Sequence, residues 1–217
     1  MQKTAIILGS TGLTGSYLLQ LILDSNAYDK VISFVRKSTG NAHPKLTEHI
    51  IDFDNAGTYK DLVKGDDLFC CLGTTIKKAG SQAAFEKVDL TYPIQFAKIA
   101  AENGVKQYLI ISSIGADAKS GNFYLRTKGR CEDELKASGI PSISIFRPSL
   151  LLGDRKEFRL GEKIMTYGMK FLSLFLIGGL KKYKAIKSST VAEAMHRTAQ
   201  QNNTGVNIYE SDKIRLI

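Results

Sequence analysis

The sequence has few residues of the kinds that form disulfides or bind metals. Its 217 residues include three cysteines, three histidines and no tryptophan. Cys70 and Cys71 are adjacent, the third cysteine is Cys131, and no CxxC pair occurs. An odd number of cysteines at this spacing indicates neither a disulfide framework nor a zinc site. We therefore expect no metal site.

Long hydrophobic runs are also missing. A transmembrane helix needs about 18 or more apolar residues, and the longest apolar run, FLSLFLIGGL at 171–180, is far too short. The N-terminus enters an apolar strand at once and lacks the apolar core and small-residue cleavage site of a signal peptide. No transmembrane segment is expected, and a cytoplasmic location is the default prediction.

The positive charge is unevenly distributed. The formal net charge is +9, and residues 155–187 hold nine Lys or Arg and two Glu, a local charge of +7. Such a basic block is compatible with an anionic substrate, a nucleic acid, a membrane surface or simply a solvated face. No aromatic-rich RNA motif or zinc-finger spacing supports nucleic acid, so none is expected. Peripheral contact with a membrane and the oligomeric state stay open.

Length and hydrophobic pattern predict one α/β domain over 1–217. Apolar runs rich in β-branched residues are continuous, as in strands covered on both faces, and helical patterns alternate with them. This order predicts a Rossmann-type, doubly wound parallel sheet. Residues 151–187 break the alternation and are predicted to form a small helical or loop lid, inserted before the last strand. The predicted strands are 4–8, 31–35, 49–51, 68–72, 108–112, 143–146 and 206–209, and the helices are 13–23, 89–102, 123–137 and 189–200.

The stretch GSTGLTG at 9–15 joins the first predicted strand to the first predicted helix. Gly9, Gly12 and Gly15 follow a GxxGxxG spacing, and glycine lets the backbone approach a pyrophosphate closely. The helix N-terminus adds unpaired N–H groups and a partial positive charge. The alternative is a tight turn that binds nothing. The predicted phosphate-binding residues are Gly9, Ser10, Thr11, Gly12, Leu13, Thr14 and Gly15.

Basic residues follow the second predicted strand. Arg36 lies 21 residues after Gly15, where an NAD site usually has a carboxylate for the ribose hydroxyls. A guanidinium instead binds a 2′-phosphate through two hydrogen bonds. Arg36 and Lys37 therefore predict NADP(H) rather than NAD(H). The alternative is that Arg36 only faces solvent.

The ends of the next two strands supply further cofactor candidates. Asp52 is placed to meet the adenine edge, although it would also serve as a helix cap. Gly73 would let the backbone pass under the cofactor, and the neighbouring hydroxyls would bind phosphate or ribose. The remaining predicted cofactor contacts in this region are Phe53, Leu72, Thr74 and Thr75, and Ser112 is a further one at the end of the fifth strand.

YLRTK at 124–128 places a tyrosine and a lysine on one face of a predicted helix. Such a pair often occurs by chance, but this one follows a strand that ends in Ser112 and Ser113. The Ser, Tyr and Lys would then converge at the strand ends, where the nicotinamide should lie. Tyr124 is predicted to protonate a carbonyl oxygen as hydride arrives, and Ser113 to hold that oxygen. Lys128 would favour the phenolate and bind the nicotinamide ribose.

Several motifs together carry a family resemblance. GSTGLTG, YLRTK with its serine, and FRPSLLLG at 146–153 resemble an atypical short-chain dehydrogenase/reductase. CCLGTT, SSIGAD and FRPSLLLGDRKEFRLGE are similar in order and spacing to the Tat-interacting-protein-like oxidoreductases. The resemblance runs from Lys3 to about Ala199. It implies an NADP(H)-binding Rossmann fold with Ser–Tyr–Lys chemistry, and a segment at 146–149, including Arg147 and Pro148, that reaches the nicotinamide.

The sequence departs from this family pattern at two points. Only 11 residues separate Ser113 from Tyr124, a shorter distance than in typical extended members, so Ser112 stays open as an alternative to Ser113. Many members carry a proton-relay asparagine in the fourth helix, where this chain has Asp89. We do not transfer that role to Asp89.

Three functions are compatible with these residues. The first is an NADPH-dependent reductase of a small carbonyl substrate, and the basic block leaves an anionic substrate open. The second is an NADP(H)-sensing regulator like the NmrA-like proteins, which would not need the Tyr124–Lys128 pair. The third is a nucleotide-sugar epimerase or dehydratase, for which the chain looks too short to hold a large substrate domain.

Overall fold

The computed structural model describes residues 3–153, 178–201 and 203–217. Over these ranges the chain forms nine short strands, and the most deeply buried of them are rich in apolar residues. Helices lie between many of them, as the sequence pattern predicts, although the second and third strands follow one another without a helix. The strands are β1 Lys3–Leu8, β2 Tyr28–Val35, β3 Leu46–Ile50, β4 Asp67–Cys70, β5 Gln107–Ile111, β6 Ser142–Arg147, β7 Leu151–Leu152, β8 Ile186–Lys187 and β9 Gly205–Glu210.

Helices of very different length connect these strands. The four long helices each bury one face against the sheet, two of the three short helices lie between the fourth and fifth strands, and the third follows the last strand. A π-helical turn, Lys87–Thr91, leads into α4. The helices are α1 Leu13–Asp24, α2 Ile76–Ala79, α3 Gln82–Glu86, α4 Tyr92–Glu102, α5 Phe123–Lys136, α6 Ser188–Thr198 and α7 Ser211–Ile214.

Seven strands form one parallel sheet in the order β3–β2–β1–β4–β5–β6–β9, and β7 pairs with β8 separately. The chain moves outward from β1 to β3, then crosses back to β4 on the other side of β1. This reversal opens a crevice at the carboxyl ends of β1 and β4. The glycine turn follows β1 directly, so the fold places it at that crevice.

Helices cover both faces of the sheet. Along β1, Ile6 and Leu8 pack into the core on the side of α4 and α5, whereas Ala5 and Ile7 pack towards α1 and α6. All four side chains are fully buried. This two-sided burial explains the continuous rather than alternating apolar pattern of the strands.

The observed architecture confirms the predicted Rossmann-type, single-domain, doubly wound parallel sheet. Of the predicted lid at 151–187, the structure describes the β7–β8 pair and the 3₁₀ helix Gly178–Tyr183. Residues 154–177 of that lid lie outside the described residues, and most of the basic block and the apolar run lies with them. Within the described ranges, no helix is both long and apolar enough to span a membrane.

Candidate cofactor and active site

The turn after β1 can be built only with glycine at two positions. Gly9 has a φ of 76°, and a Cβ there would lie 2.6 Å from the carbonyl oxygen of Cys71. A Cβ on Gly15 would lie 2.0 Å from the carbonyl oxygen of Gly9. The N–H of Gly12 donates to that same oxygen at 2.9 Å and closes the turn. The glycines therefore let the turn, the end of β4 and the start of α1 pack in direct contact.

The start of α1 is suited to an anion. Gly12 caps the helix, no side chain caps it, and the first turn carries no acidic residue. The helix N–H groups and partial positive charge are thus available to a phosphate. Among the hydroxyls of this turn, Thr11 is exposed, but Ser10 is buried and its hydroxyl lies 2.8 Å from that of Ser33. Ser10 therefore joins β2 to the turn.

The ends of β2 and β3 present mainly exposed polar groups. Arg36 and Lys37 follow β2 directly, and both are exposed. Asp52 is exposed and accepts the N–H of Asp54 at 3.0 Å, so it shapes its own turn. The ring of Phe53 is buried and packs against Tyr92, with 5.3 Å between ring centroids. The carbonyl oxygen of Phe53 accepts the hydroxyl of Tyr59 at 3.1 Å, so its ring and its carbonyl both have partners within the protein.

The turn after β4 continues from a half-buried Leu72 into residues 73–75. A Cβ on Gly73 would meet only Asp89 Oδ1, at an ordinary 3.6 Å. The N–H of Thr74 donates to Asp89 Oδ2 at 2.9 Å. Thr75 caps α2 by accepting the N–H of Lys78 at 3.1 Å. Packing within the protein thus leaves room for a side chain at position 73, unlike at positions 9 and 15.

The side chain of Lys128 is buried at the carboxyl end of β5 and is not exposed on the surface of α5. Its Nζ lies 2.8 Å from Asp89 Oδ1 and 3.5 Å from the carbonyl oxygen of Ile111. The two charged residues are 6% and 1% exposed. Burial by itself lowers the pKa of Lys128, but the negative charge of Asp89 and the contact with its carboxylate raise it above its usual value. Lys128 is therefore held as an ammonium ion.

Tyr124 lies one helical turn before Lys128, near the start of α5. That start is capped by Asn122, whose side chain accepts the N–H of Leu125 at 3.1 Å. Tyr124 is half-buried, and its ring packs against Phe85 with 5.7 Å between centroids. The phenol therefore combines a packed ring with partial access to solvent.

The two candidate serines have different partners. Ser112 is buried and donates its hydroxyl hydrogen to Glu132 Oε1 at 2.5 Å. Ser113 is half-buried, and its hydroxyl contacts only the neighbouring carbonyl of Ile114, at 3.3 Å, among the described residues. The hydroxyl of Ser112 is therefore occupied by its hydrogen bond to Glu132, whereas the hydroxyl of Ser113 is more available to bind a substrate.

Arg147 at the end of β6 also binds Glu132. Its Nε donates to Oε1 at 2.9 Å, and a terminal nitrogen donates to Oε2 at 2.5 Å. The hydrogen bond to Glu132 raises the pKa of Arg147, outweighing partial burial. Beside it, the carbonyl oxygen of Pro148 accepts the N–H of Ile114 at 3.0 Å. The guanidinium is thus occupied within the protein, and Pro148 meets the serine loop through its backbone.

The loop between Ser113 and Tyr124 is packed tightly onto α5. A Cβ on Gly129 would lie 2.1 Å from the backbone nitrogen of Ala118. The N–H of Asp117 donates to the carbonyl oxygen of Leu125 at 3.2 Å. The short loop therefore lies directly against the helix that carries the tyrosine and lysine.

Two buried carboxylates, Asp89 and Glu132, were not among the predicted site residues. Asp89 was seen only as a departure from an expected asparagine. Glu132 falls on the buried stripe of α5 with Lys128 and Leu135, and a charged residue on that stripe was the available signal. Its partners come from β5 and β6, which no local pattern reveals.

Fold and site together define a Rossmann protein with a binding crevice for a nicotinamide dinucleotide. A family model described as NAD(P)H-binding matches residues 9–173, and the chain belongs to that family. The match includes the glycine turn, the turn after β4, and α5 with Tyr124 and Lys128.

Two relatives extend this assignment. The chain is 38% identical over 164 residues to Protein HTATIP2 of Rattus norvegicus, covering 74% of this chain and 67% of the relative. It is 32% identical over 221 residues to the mitochondrial protein FMP52 of Candida albicans, covering 99% and 94%. These matches confirm the resemblance inferred from the sequence motifs.

Solved structures with low sequence identity share the fold. The Bordetella bronchiseptica enzyme WbmH in complex with NAD+ superposes with a TM-score of 0.72 at 17% identity, covering 98% of this chain and 77% of that chain. A UDP-N-acetylglucosamine 4-epimerase from Methanobrevibacter ruminantium gives 0.72 at 17% identity, covering 96% and 76%. At this identity the likeness concerns the fold alone.

The expected cytoplasmic location is wrong. Relatives from Candida albicans, Meyerozyma guilliermondii and Candida glabrata are named mitochondrial proteins. The prediction rested on the absence of a transmembrane run and of a secretory signal, and neither absence distinguishes cytosol from mitochondria.

Proposed function

We propose that this protein is an NADPH-dependent reductase of a small carbonyl compound, with Ser113, Tyr124 and Lys128 as its catalytic residues. The observation that carries this proposal is the buried ammonium of Lys128 next to Tyr124. Burying a charged lysine costs folding free energy unless the charge is paired, so charged lysines are rarely buried. A buried lysine with a specific charge partner at the carboxyl ends of the strands is therefore a candidate functional residue.

The crevice residues fit a dinucleotide. The glycine turn and the uncapped start of α1 would bind its pyrophosphate, and Gly73 leaves space beneath it. The exposed Arg36 and Lys37 would bind a 2′-phosphate, which favours NADPH over NADH. The phosphorylated form of the cofactor is thus an inference from these two cations, beyond the NAD(P)H-binding family assignment.

Each proposed catalytic residue has a separate task. Bound NADPH would supply the hydride. Tyr124 donates its phenolic proton to the carbonyl oxygen, and Ser113 donates a hydrogen bond to the same oxygen. Lys128 stabilises the phenolate that remains and binds the nicotinamide ribose. Ser112 and Arg147 support these groups through Glu132 instead of touching the substrate.

A second candidate is an NADP(H)-sensing regulator with little turnover. The names of the relatives HTATIP2 and FMP52 state no reaction, which is the observation that favours it. Such a protein would bind the cofactor through the same crevice but would not depend on Tyr124. The mitochondrial names of the fungal relatives lead us to expect a mitochondrial protein under either candidate.

The test compares the wild-type protein with Tyr124→Phe. NADPH affinity is measured by fluorescence titration, and turnover with NADPH is measured on a panel of small aldehydes, ketones and quinones. We expect Tyr124→Phe to lower kcat about 100-fold or more, since a positioned acid contributes this much. NADPH affinity should stay within about twofold, because the phenol acts on the carbonyl.

Tyr17→Phe is the matched control, because Tyr17 is an exposed tyrosine on α1 and should affect neither quantity. Tight NADPH binding with no turnover of any carbonyl in the panel would instead favour the sensor. Unchanged turnover in Tyr124→Phe would exclude the proposed mechanism.

A further inference from the structure

One carboxylate, that of Asp89, connects the candidate lysine to the turn after β4. Its Oδ1 lies 2.8 Å from Lys128 Nζ, and its Oδ2 accepts the N–H of Thr74 at 2.9 Å. Asp89 is 1% exposed and lies in the π-helical turn Lys87–Thr91. Wide turns of this kind are frequent at functional sites. The same side chain therefore touches the helix of the lysine and the turn beneath the crevice.

Asp89 is the carboxylate in contact with Lys128, and the other buried carboxylate on this side, Glu132 one turn further along α5, is bound by Ser112 and Arg147. Asp89 faces Lys128 from the π-helical turn and Cys70 from β4, while Tyr124 and Cys131 face it from its own helix. The remaining polar contact is the carbonyl oxygen of Ile111 on β5. Burial lowers the pKa of Lys128, and Asp89 is the group that contributes most to raising it again.

We propose that Asp89 is a positioning residue of this site, whose carboxylate keeps Lys128 charged and fixes it relative to the Gly73–Thr75 turn. This inference rests on the proposed function, because Asp89 acts through Lys128. An asparagine at position 89 would keep an oxygen for the Thr74 N–H and the volume of the side chain. Asp89→Asn therefore removes the negative charge and the acceptor that faces Lys128, and keeps the contact with Thr74.

The competing explanation is that Asp89 only stabilises the fold. The two explanations differ in how NADPH affinity depends on pH. Without its counter-ion, a buried Lys128 would lose its proton at a lower pH than in the wild-type protein. A purely structural defect would instead weaken NADPH binding by the same factor at every pH.

The experiment titrates NADPH alone into wild type, Asp89→Asn and Asp67→Asn between pH 6 and pH 9. We expect the ratio of Asp89→Asn to wild-type Kd to rise about tenfold from the acidic to the alkaline end, because a charge-assisted hydrogen bond to the ribose is lost. Taking the ratio cancels the titration of the cofactor phosphate, which all variants share. A ratio that is constant with pH overturns the proposal.

Asp67→Asn is a matched control. Asp67 is also 1% exposed and also paired with a lysine, Lys3, at 3.2 Å, but it begins β4, at the opposite end of the strand from the crevice. Its Kd ratio should not change with pH. A pH-dependent ratio in this control equal to that of Asp89→Asn would also overturn the proposal.

Folding failure has its own test. If Asp89→Asn does not fold, the double variant Asp89→Asn/Lys128→Met, which removes both charges, replaces it. Recovery of folded protein in the double variant supports the proposal, because it shows that the unpaired charge of Lys128 is what prevents folding in Asp89→Asn, whereas failure of the double variant to fold overturns it. If the wild-type protein does not bind NADPH, the proposed function fails and this inference fails with it. Tight wild-type binding with a constant ratio overturns the inference alone.

Discussion

Glu132 binds the guanidinium of Arg147 through both carboxylate oxygens, at 2.9 and 2.5 Å. Ser112 donates its hydroxyl hydrogen to one of those oxygens. The cluster joins α5 to the ends of β5 and β6, directly behind the proposed catalytic residues. Paired guanidinium and carboxylate groups with this geometry are among the stronger polar contacts in proteins.

Because Glu132 occupies Ser112, the two adjacent serines should respond oppositely to substitution. Ser112→Ala should cost about 1–2 kcal/mol of unfolding free energy, because a buried carboxylate oxygen loses a donor. Ser113→Ala should leave stability within about 0.5 kcal/mol. It should lower kcat/KM about 100-fold, as expected for the loss of a hydrogen-bond donor to the reacting oxygen. Urea unfolding and steady-state kinetics measure the two effects. The reverse pattern would identify Ser112 as the acting serine.

Cofactor choice should depend on Arg36. Arg36→Glu removes the proposed 2′-phosphate contact and adds a repelling charge, so the Kd of NADPH should rise about 10–100-fold. NADH lacks this phosphate, and its affinity should stay the same or improve. Lys30→Glu, which changes an exposed lysine within β2, should alter neither affinity. Equal losses for both cofactors in Arg36→Glu would contradict a role in phosphate recognition.

Gly15 should be needed for the stability of the fold, and Gly73 for the affinity for NADPH. Gly15→Ala places a Cβ against the Gly9 carbonyl and should destabilise the fold by about 2–3 kcal/mol. Gly73→Ala meets no close neighbour, so the unliganded protein should be almost as stable as wild type. Its NADPH affinity should fall at least about tenfold, or about 1.4 kcal/mol, if the cofactor passes over this backbone. Thermal unfolding without NADPH measures the stability of each variant, and the shift on adding NADPH measures its affinity. An affinity equal to that of the wild type in Gly73→Ala would mean that the cofactor does not pass over this backbone.

Stability should decrease on mild acidification through His196. Burial, and then the charge of Arg197, lower the pKa of His196 in the folded protein. The unfolded chain therefore takes up this proton near pH 6.5, before the folded protein does, and stability falls as the pH decreases below that value. Urea midpoints at pH 7.5 and 5 should differ less in His196→Gln than in wild type. An equal difference would mean that carboxylates alone cause the acid sensitivity.

Sequence patterns predicted the sheet well because most strands are buried on both faces. The prediction was less accurate at β3, which occupies Leu46–Ile50 instead of 49–51, because this half-buried edge strand mixes polar and apolar residues. The fourth strand was predicted to end two residues too late, at residue 72. It ends at Cys70, and the chain then turns so that Thr74 can bind Asp89.

The glycine turn and the Tyr124–Lys128 pair could be predicted because their spacing is local. Glu132 could not, since its partners lie 20 and 15 residues away and meet it only after β5, α5 and β6 have packed. The role of Asp89 depends in the same way on Lys128, which is distant in sequence. Residues that position others are thus visible only in three dimensions.

The contact between Gly129 and the backbone of Asp117–Ala118 constrains how this protein can diverge. A side chain at 129 would push the loop away from α5, so the length of that loop and the identity of residue 129 are coupled. A relative with a longer serine–tyrosine loop would be free of the constraint and could carry a bulkier residue there. Substitution at 129 and insertion in the loop should therefore occur together during evolution, while the serine and tyrosine themselves stay unchanged.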